Sequence, residues 1–509
     1  MLLKFKYSIG YMSIAALFGC SSFTLPKPNI IVIYADDLGC GDLGCYGARA
    51  VKTPHIDRLA REGILFSNAY ACSSTCTPSR FGLLTGLYPW RFKNTGIASG
   101  DAPMIIKKDQ YNVARMLNNN GYSTTVIGKW HLGLGEGGFN SQNWNGEITP
   151  GPKELGFGYS FIIPATGDRV PCVYLENQKI VNLDPKDPLE ISYTSPFEGV
   201  PLGSDRLKEL KLQPSIGHDQ AIVNSISRMG YTRGGTTALW VDENMADTIT
   251  LKATQFIERN KKNPFFLFFA THDIHAPRVP HPRFSEQTTM GARGDAIVEF
   301  DWCVGQILET LDRLKLTDNT LIILSSDNGP VVEEGYRDRG HELLGNHKPA
   351  GELRGGKYSA LEGGTRVPFI VRWPSQVKPG TSKASISQID LLGSLAQLCG
   401  QKITEYAASD SHNSLDTWLG KSANDRDYVV EQSIGTLSIL SGNWKLITPS
   451  RAYKYYEEGK IELGHDTVPQ LYNLHDDVQE KINVASKYPV KVQQLNSLLE
   501  EIKSKVKTE

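Results

Sequence analysis

The sequence predicts an α/β fold built on a mostly parallel sheet that is covered by helices on both faces. Two observations carry this prediction. Short apolar runs rich in β-branched or aromatic residues indicate strands buried on both faces, and amphipathic segments separate these runs. Alternation of buried strands with helices is typical of parallel sheets between two helical layers. The four predicted strands are 29–34, 123–127, 264–269 and 321–326.

The segments between the strands carry the signals of amphipathic helices. The first has a threonine cap followed by proline, apolar residues at helical spacing and a terminal glycine. The others show apolar residues recurring every three or four positions, which is the period of a helix with one buried face. The predicted helices are 53–63, a segment around 249–256, 297–314 and a segment around 389–398 that ends at Gly400.

Polar side chains follow each predicted strand directly. Because ligands of an open parallel sheet bind outside the carboxyl ends of its strands, we expect these side chains to meet in one site. Taken singly, an Asp-Asp pair or an Asp-Asn-Gly sequence is usually only a turn. Four polar groups at four strand ends indicate chemistry instead. The groups are Asp36 with Asp37, Lys129 with His131, His272 with His275, and Asp327 with Asn328.

The oxygen-bearing members of these groups predict a metal site. Asp36, Asp37, Asp327 and Asn328 supply carboxylate and amide oxygens from two strand ends. Hard oxygen ligands suit calcium or magnesium, whereas zinc would draw on histidine and thiolate. The flexible, carboxylate-rich set favours Ca²⁺ over Mg²⁺.

The stretch 139–237 differs from the rest of a predicted catalytic domain that spans 26–405. It is rich in Gly, Pro, Asn and Asp and is too long for an ordinary connection. We therefore expect an insertion over the mouth of the site. Its candidate substrate contacts are Asp168, Arg169, His218, Asp219 and Trp240.

The C-terminal part, 425–509, predicts a smaller α+β subdomain. Short alternating runs at 428–431 and 444–447 indicate strands of a short antiparallel sheet. An amphipathic segment at about 489–506 predicts a last helix.

The charge balance excludes some classes of partner. The 509 residues carry 54 basic and 55 acidic side chains, for a net charge of −1. No global field therefore attracts nucleic acid or an anionic membrane surface, and any recognition of an anion must be local. The hydrophobic content of 40% supports a sizeable packed core.

The N-terminal segment 1–20 predicts export as a signal peptide. Lys4 and Lys6 precede an apolar stretch that is too short to span a membrane. The segment ends at Leu17-Phe18-Gly19-Cys20, which resembles a bacterial lipobox with Cys20 as the lipid-bearing residue. Two alternatives stay open: a lipid anchor through Cys20, or plain cleavage, because Phe18 is bulky for a lipobox. Either alternative predicts a protein in the bacterial periplasm or anchored to the outer membrane.

The sequence around Cys76 carries the most specific signal. The proline two residues later predicts a turn into a helix, which would place Cys76 at a helix N-terminus beside Arg80. The run Cys-Thr-Pro-Ser-Arg, followed by Leu-Leu-Thr-Gly-Leu-Tyr-Pro, resembles the signature of the type I sulfatases. Other stretches resemble the same family in the same order: 36–47, 128–133, 271–277, 327–329, 353–357, 362–368 and 470–477.

The resemblance implies an alkaline-phosphatase-like fold and a sulfuric ester hydrolase. In the family the signature cysteine is converted to formylglycine by a separate maturation enzyme, and the hydrated aldehyde attacks sulfur. The resemblance implies that Cys76 is the precursor of the nucleophile. It also implies that this residue is a further ligand of the metal. Arg80, Lys129 and Lys357 are implied to neutralise the sulfate.

The resemblance also implies roles for histidines. His275 is the expected acid that protonates the leaving oxygen, and His131 is the expected base for the step that releases sulfate. The expected substrate-binding residues are His272, Asp168, Arg169 and His218.

The expected substrate is a sulfated carbohydrate, with galactose or N-acetylgalactosamine sulfate of glycosaminoglycans or mucin-type glycans favoured. Two alternatives stay open. The first is a phosphoester or phosphonate hydrolase of the same superfamily, although a single implied metal argues against a two-metal phosphatase. The second is a catalytically silent glycan-binding protein, which would result if Cys76 is unconverted.

Overall fold

The computed structural model describes residues 27–215, 217–403 and 407–505. The predicted signal segment 1–20 with Cys20, the predicted boundary at 405 and the last residue of the predicted helix 489–506 lie outside this part of the chain. Among the described helices, none combines the length and the apolar character needed to cross a membrane.

Strands of the described chain form one large sheet and several small ones. In chain order they are β1 (Asn29–Ala35), β2 (Ile64–Tyr70), β3 (Ser123–Lys129), β4 (Tyr159–Ile163), β5 (Leu175–Glu176), β6 (Lys179–Ile180), β7 (Glu190–Ser192), β8 (Gln213–Pro214), β9 (Ala221–Val223), β10 (Ile226–Arg228), β11 (Tyr231–Arg233), β12 (Phe265–Ala270), β13 (Thr320–Ser326), β14 (Tyr336–Arg337), β15 (Phe369–Arg372), β16 (Gly380–Ser387), β17 (Val429–Ser433), β18 (Thr436–Ser441), β19 (Trp444–Ile447), β20 (Tyr455–Tyr456), β21 (Ile461–Glu462) and β22 (Gln470–Asn473).

The α-helices lie between these strands and at the C-terminal end. In chain order they are α1 (Pro54–Arg61), α2 (Cys76–Thr85), α3 (Val113–Asn119), α4 (Met245–Asn260), α5 (Gly291–Arg313), α6 (Gly340–Leu343), α7 (Glu362–Thr365), α8 (Leu391–Leu398), α9 (Leu415–Trp418) and α10 (Pro489–Ser504).

The large sheet has ten strands in the order β16-β2-β15-β13-β1-β12-β3-β4-β5-β6. Its central block, β13-β1-β12-β3-β4, is parallel throughout. β15 runs antiparallel to both of its neighbours, and β5 and β6 add an antiparallel edge. The predicted mostly parallel α/β sheet is confirmed, and the four predicted strands are four of the five in its parallel centre.

The sheet separates two hydrophobic cores. Alternate residues of β1 point to opposite faces, so Val32 and Tyr34 belong to one core and Ile31 and Ile33 to the other. Residues of α2, α3 and α8 complete the first core, and residues of α1, α4 and α5 complete the second. Burial on both faces explains why the central strands are continuous apolar runs.

The predicted insertion, 139–237, divides into two parts. β4, β5 and β6 extend the large sheet beyond β3. The strands β7 to β11 form small antiparallel pairs, one of which joins β8 to β14 from outside the stretch.

The C-terminal part contains the predicted short antiparallel sheet. β17, β18, β19 and β22 pair in that order, and each pair is antiparallel. α10 packs on this sheet through Leu495, Leu499 and Ile502, which share a core with Leu446 and Leu471.

A buried ion cluster joins this C-terminal sheet to the large domain. Lys445 of β19 lies 2.9 Å from Glu362 of α7, 3.2 Å from Glu431 and 3.5 Å from Glu480. Arg366 adds a second cation, 3.2 Å from Glu362. Glu362 and Arg366 therefore support the contact between the C-terminal sheet and α7.

The cluster makes stability depend on pH. Burial raises the pKa of Glu480 to about 8 from an ordinary value of 4.5, although Lys445 opposes the shift. Between these two values the folded protein binds more protons than the unfolded chain, so the free energy of unfolding falls as the pH rises. We expect Glu480→Gln to remove this fall, with a difference from the parent of up to about 1.4 kcal/mol per pH unit.

Urea unfolding of the parent and of Glu480→Gln, at intervals from pH 5 to pH 8, measures this difference. The matched control is Glu500→Gln, since Glu500 lies on the exposed face of α10. The prediction would be contradicted if the free energy of unfolding changed with pH in the same way for the parent and for Glu480→Gln.

Candidate active site

The four strand ends that the sequence predicts to converge lie side by side. Tyr34 pairs with Ala270, and Ala35 pairs with Ser326. Ala270 also pairs with Gly128 of β3. Because these pairings are parallel, the polar residues that follow β1, β3, β12 and β13 all leave the sheet at one edge.

Cys76 is the first residue of α2, as the sequence predicts, and its side chain is buried. Backbone N–H groups in the first turn of a helix have no partner within the helix, and the helix dipole is positive there. The position therefore favours a bound anion. Burial raises the pKa of the Cys76 thiol, while Lys129 and Lys357 oppose the shift.

Buried cations lie against the carboxylates of this edge. The guanidinium of Arg80 donates two hydrogen bonds to Asp327 Oδ2, at 2.7 and 3.1 Å. Lys357 Nζ donates to Asp37 Oδ2 at 3.0 Å. Because a buried charge is costly unless it is paired, these contacts explain how several carboxylates share one dry site.

Two buried oxygen atoms at this edge accept no hydrogen bond from the described residues. Lys129 pairs with Asp36 Oδ2, but Asp36 Oδ1 and Asn328 Oδ1 are buried and accept no hydrogen bond from the described residues. One ligand atom each of Asp36, Asp37 and His275 lie within 4.8 Å of one another. Unpartnered buried oxygens are costly, and a hard cation would satisfy them. The residues present therefore fit a calcium or magnesium ion.

His131 contacts the loop that contains Ala98. Its Nε2 lies 2.9 Å from Ala98 O, so Nε2 carries the proton, and Nδ1 has no partner among the described residues. Its carbonyl oxygen accepts a hydrogen bond from Thr77 of α2. Burial lowers the pKa of His131 well below its ordinary value, and Lys129 and Arg169 add to the shift. The neutral ring with a free lone pair is the state that a base requires.

His275 presents one nitrogen towards two carboxylates. Its Nδ1 lies 2.5 Å from Ala276 O, which places a proton on Nδ1. Its Nε2 lies 3.8 Å from Asp37 Oδ2 and 3.7 Å from Glu334 Oε2. Burial lowers the pKa of His275, and Lys357 adds to the shift. Nε2 is therefore the nitrogen that can face a substrate oxygen.

Glu334 is a residue of this site that sequence analysis missed. Its carboxylate accepts a hydrogen bond from Lys357 Nζ at 2.5 Å and another from the Tyr358 hydroxyl. The neighbouring Glu333 instead accepts from the backbone of His341. No pattern in the sequence separates the two glutamates, because only the path of the loop after β13 decides which one faces Lys357.

A cavity of about 470 Å³ brings many of the predicted residues together. This volume lies in the usual range of small-ligand sites. Arg80, Lys129 and His131 are not among its wall residues and lie behind it, in the buried layer. The predicted site residues in its wall are Cys76, Asp168, Arg169, His218, His275 and Lys357.

Asp168, Arg169 and His218 form one hydrogen-bonded group in the wall. Arg169 donates two hydrogen bonds to Asp168 at 3.0 Å, and His218 Nε2 lies 3.3 Å from the same carboxylate. Burial opposes ionisation, but Arg169 and His218 hold the pKa of Asp168 well below its usual value. The group offers both a donor and an acceptor to a ligand.

Three other candidates do not line this cavity. His272 lies beside His275, with ring centroids 5.6 Å apart, but it lines a separate small cavity with Asp273 and Glu299. Trp240 packs in an apolar cluster, and Asp219 accepts a hydrogen bond from the backbone of Gly217. None of the three belongs to the described wall of the large cavity, and their substrate contact stays a prediction.

The opposite wall comes from the C-terminal part of the chain, which sequence analysis did not connect with the site. Tyr456 packs edge to face on Tyr358, with ring centroids 5.5 Å apart. No motif marks these residues, because the contact exists only after the C-terminal sheet docks. The C-terminal wall residues are Ile434, Tyr453, Tyr455, Tyr456, Glu457 and Leu463.

Comparisons with known proteins agree with this geometry. A family model described as sulfatase matches residues 28–401. An N-acetylgalactosamine-6-O-sulfatase of Bacteroides thetaiotaomicron is 53% identical over 480 residues, which cover 94% of each chain. Human arylsulfatase A is 30% identical over 490 residues, which cover 92% of this chain and 87% of the relative.

A solved structure from work on glycosaminoglycan metabolism by Bacteroides thetaiotaomicron has a TM-score of 0.92 to this chain at 53% identity. The match covers 94% of this chain and 100% of that one. The family model spans more than half of the chain, and the relatives share both the fold and most of the length. The chain therefore belongs to the sulfatase family and is a sulfuric ester hydrolase.

Proposed function

We propose that this sulfatase removes the 6-O-sulfate from N-acetylgalactosamine or galactose residues of glycosaminoglycans or mucin-type glycans. The cavity carries the proposal, since it holds the buried Cys76 beside Lys357 and His275 and continues into the polar group of Asp168 and Arg169. The relative named N-acetylgalactosamine-6-O-sulfatase, at 53% identity, supports the choice of sugar and of sulfate position.

The proposed reactive group is a formylglycine made from Cys76 by a separate maturation enzyme. Its hydrated aldehyde would supply the oxygen nucleophile for sulfur. The chain holds position 76 at the N-terminus of α2, where backbone N–H groups and Lys357 favour an anion. Burial of the whole helix keeps water from the back of the site.

Two histidines are proposed to move protons. His275 Nε2, which faces Asp37 and Glu334, would take up a proton from solvent as the anionic substrate binds and would donate it to the leaving sugar oxygen, while Nδ1–H stays engaged with Ala276 O. His131 Nδ1 accepts the proton whose loss releases sulfate from position 76, because its Nε2 is engaged with Ala98 O. Both assignments use the one nitrogen of each ring that the fold leaves free.

The proposed metal is Ca²⁺, with Mg²⁺ as the weaker candidate. The residues that would hold it are Asp36, Asp37, Asp327, Asn328 and the modified residue 76. The ion would supply positive charge opposite the sulfuryl oxygens. Support comes from Asp36 Oδ1 and Asn328 Oδ1, which are buried and accept no hydrogen bond from the described residues.

Removal of divalent ions is expected to lower both the melting temperature and the activity. Without the cation, the buried oxygens lose the partner that offsets their desolvation. Ca²⁺ at 100 times its dissociation constant should restore about 2.7 kcal/mol of stability. Thermal unfolding with a chelator, then with added CaCl₂ or MgCl₂, measures this effect independently of catalysis.

Asn328→Ala is the control for the metal prediction, and it should lose most of the response to calcium. An equal melting temperature with and without calcium would contradict the proposed site. A stronger response to magnesium would overturn the preference for calcium.

The substrate group of the proposal is Asp168, Arg169 and His218, which would bond the hydroxyl groups of the sugar ring. His272 remains a proposed contact.

We also propose export with a signal peptide at 1–20, a periplasmic or outer-membrane location, and a catalytic domain at 26–405 that precedes the subdomain at 425–509.

The test of the proposed function uses full-length protein made together with a maturation enzyme. The mass of the peptide that contains position 76 establishes conversion. Sulfate release is then compared for 6-sulfo- and 4-sulfo-N-acetylgalactosamine, and phosphate release is measured from an aryl phosphate. We expect release mainly from the 6-sulfated sugar. Preference for the 4-sulfated sugar or for the phosphate, in converted protein, would overturn the proposal.

A further inference from the structure

The mouth of the catalytic cavity is the place where exposed hydrophobic side chains gather. Twelve large hydrophobic residues are strongly exposed in the described chain. Four of the twelve, Ile97, Ile434, Tyr453 and Tyr455, line this one cavity. Tyr453 is 87% exposed, which is the highest value among them. An apolar cluster beside a functional cavity indicates a surface that a ligand covers.

Hydrogen bonds fix the loops that carry these residues. Ser450 Oγ donates to Gly435 O at 3.0 Å, which ties the turn after Ile434 to the loop before Tyr453. His465 Nδ1 contacts Tyr453 O at 2.7 Å. Gly435 has a φ of +89°, and a Cβ there would lie 2.9 Å from Ala452 Cβ, so the two loops are closely packed. The apolar rim is therefore preformed, which lowers the entropic cost of binding.

Hydrogen bonds also fix the opposite side of the mouth, which carries Ile97. Ile97 precedes Ala98, whose backbone N–H donates to Thr77 Oγ1 at 3.2 Å. Arg169 donates to the carbonyl of the same Ala98 at 2.8 Å. The rim residue Ile97 is thus attached directly to the helix that begins at Cys76 and to the polar wall.

The inner part of the cavity is polar and buried, whereas its mouth is apolar and exposed. Cys76, His275 and Lys357 are buried, whereas Tyr453 and Tyr455 are exposed. A glycan whose sulfated sugar reaches Cys76 can continue only through the exposed side, because the sheet and α2 close the buried side. Tyr453 and Tyr455 belong to the exposed part of the wall, where the next ring of the chain can contact them.

We propose that Tyr453 and Tyr455, opposite Ile97 and Ile434, form a binding subsite for the sugar ring that follows the sulfated one. The rings of the two tyrosines pack against the C–H face of that sugar, and tyrosine supplies this contact area at a small cost in side-chain entropy. The inference rests on the proposed function, because it assumes that the sulfated sugar lies against Cys76. The two tyrosines are specificity residues and take no part in the chemistry.

The test compares two substrates on converted, full-length protein. One is 6-sulfo-N-acetylgalactosamine alone, and the other is the disaccharide in which a glucuronate follows that sugar at its reducing end. We expect Tyr453→Ala and Tyr455→Ala each to raise KM for the disaccharide about five- to tenfold. We expect kcat on both substrates, and KM for the monosaccharide, to stay within about twofold of the parent.

Two control variants accompany the test. Tyr453→Phe keeps the aromatic ring and should retain the parent KM for the disaccharide. Phe139→Ala removes another aromatic ring, which is 68% exposed and lies outside the wall of the cavity. This variant should change neither KM nor kcat for either substrate.

The outcomes separate the inference from the function on which it rests. Equal effects on both substrates, or no effect on the disaccharide, would overturn the subsite and leave the proposed function intact. A parent protein that is converted but releases sulfate from neither substrate would overturn the proposed function, and the subsite with it.

Discussion

Replacing Cys76 with alanine is expected to lower the rate of sulfate release by at least about 10⁴-fold. Alanine cannot be converted to formylglycine and offers no oxygen for attack on sulfur. Affinity for the substrate should change little, because Lys357, His275, Asp168 and Arg169 remain in the wall of the cavity. Steady-state release of sulfate measures the first effect, and calorimetric titration with the 6-sulfated sugar measures the second.

Cys72→Ala is the matched control for this experiment. Cys72 is also buried, and its Sγ lies 3.8 Å from Pro78 O, but it packs in the core under the C-terminal sheet and is absent from the described wall of the cavity. We expect this variant to keep activity and to lose only stability. If Cys76→Ala retained more than about a hundredth of the parent rate, the proposed nucleophile would be wrong.

Replacing Lys445 with methionine is expected to lower the free energy of unfolding by about 3–5 kcal/mol. Lys445 is fully buried among Glu362, Glu431 and Glu480. Burial opposes its charge, but Glu362 and the other two carboxylates outweigh that effect and raise the pKa of Lys445 well above its ordinary value. Methionine fills a similar volume and leaves the carboxylates without their central cation.

Denaturant unfolding measures this loss, and Lys454→Met is its control. Lys454 pairs with Asp466 at 3.3 Å on the surface, with 68% of its side chain exposed, so its replacement should cost less than about 0.5 kcal/mol. Equal stability of Lys445→Met and the parent would show that the carboxylates are protonated without the lysine.

Some strands of the large sheet could be predicted from the sequence, and others could not. The strands β1, β3, β12 and β13 were predictable because burial on both faces makes each of them a continuous apolar run. The strands β2 and β16 mix buried and more exposed residues without a regular period, and the sequence did not reveal them. The short strand β15 was missed although it is fully buried, because three apolar residues and an arginine after a proline carry little periodicity.

The sequence by itself determined the parallel centre of the sheet, the polar residues at its strand ends, the position of Cys76 at a helix N-terminus and the family. These properties depend on residues within a few positions of one another, so hydrophobic period, capping and short motifs are enough to specify them. Only the tertiary structure decided that Glu334 faces Lys357 and that Lys445 holds three carboxylates. It also decided that Tyr453 and Tyr455 stand at the mouth of the cavity. The Glu334 contact depends on the path of the loop after β13, and the other contacts form only when the C-terminal sheet packs against the large domain. Neither event leaves a local pattern in the sequence.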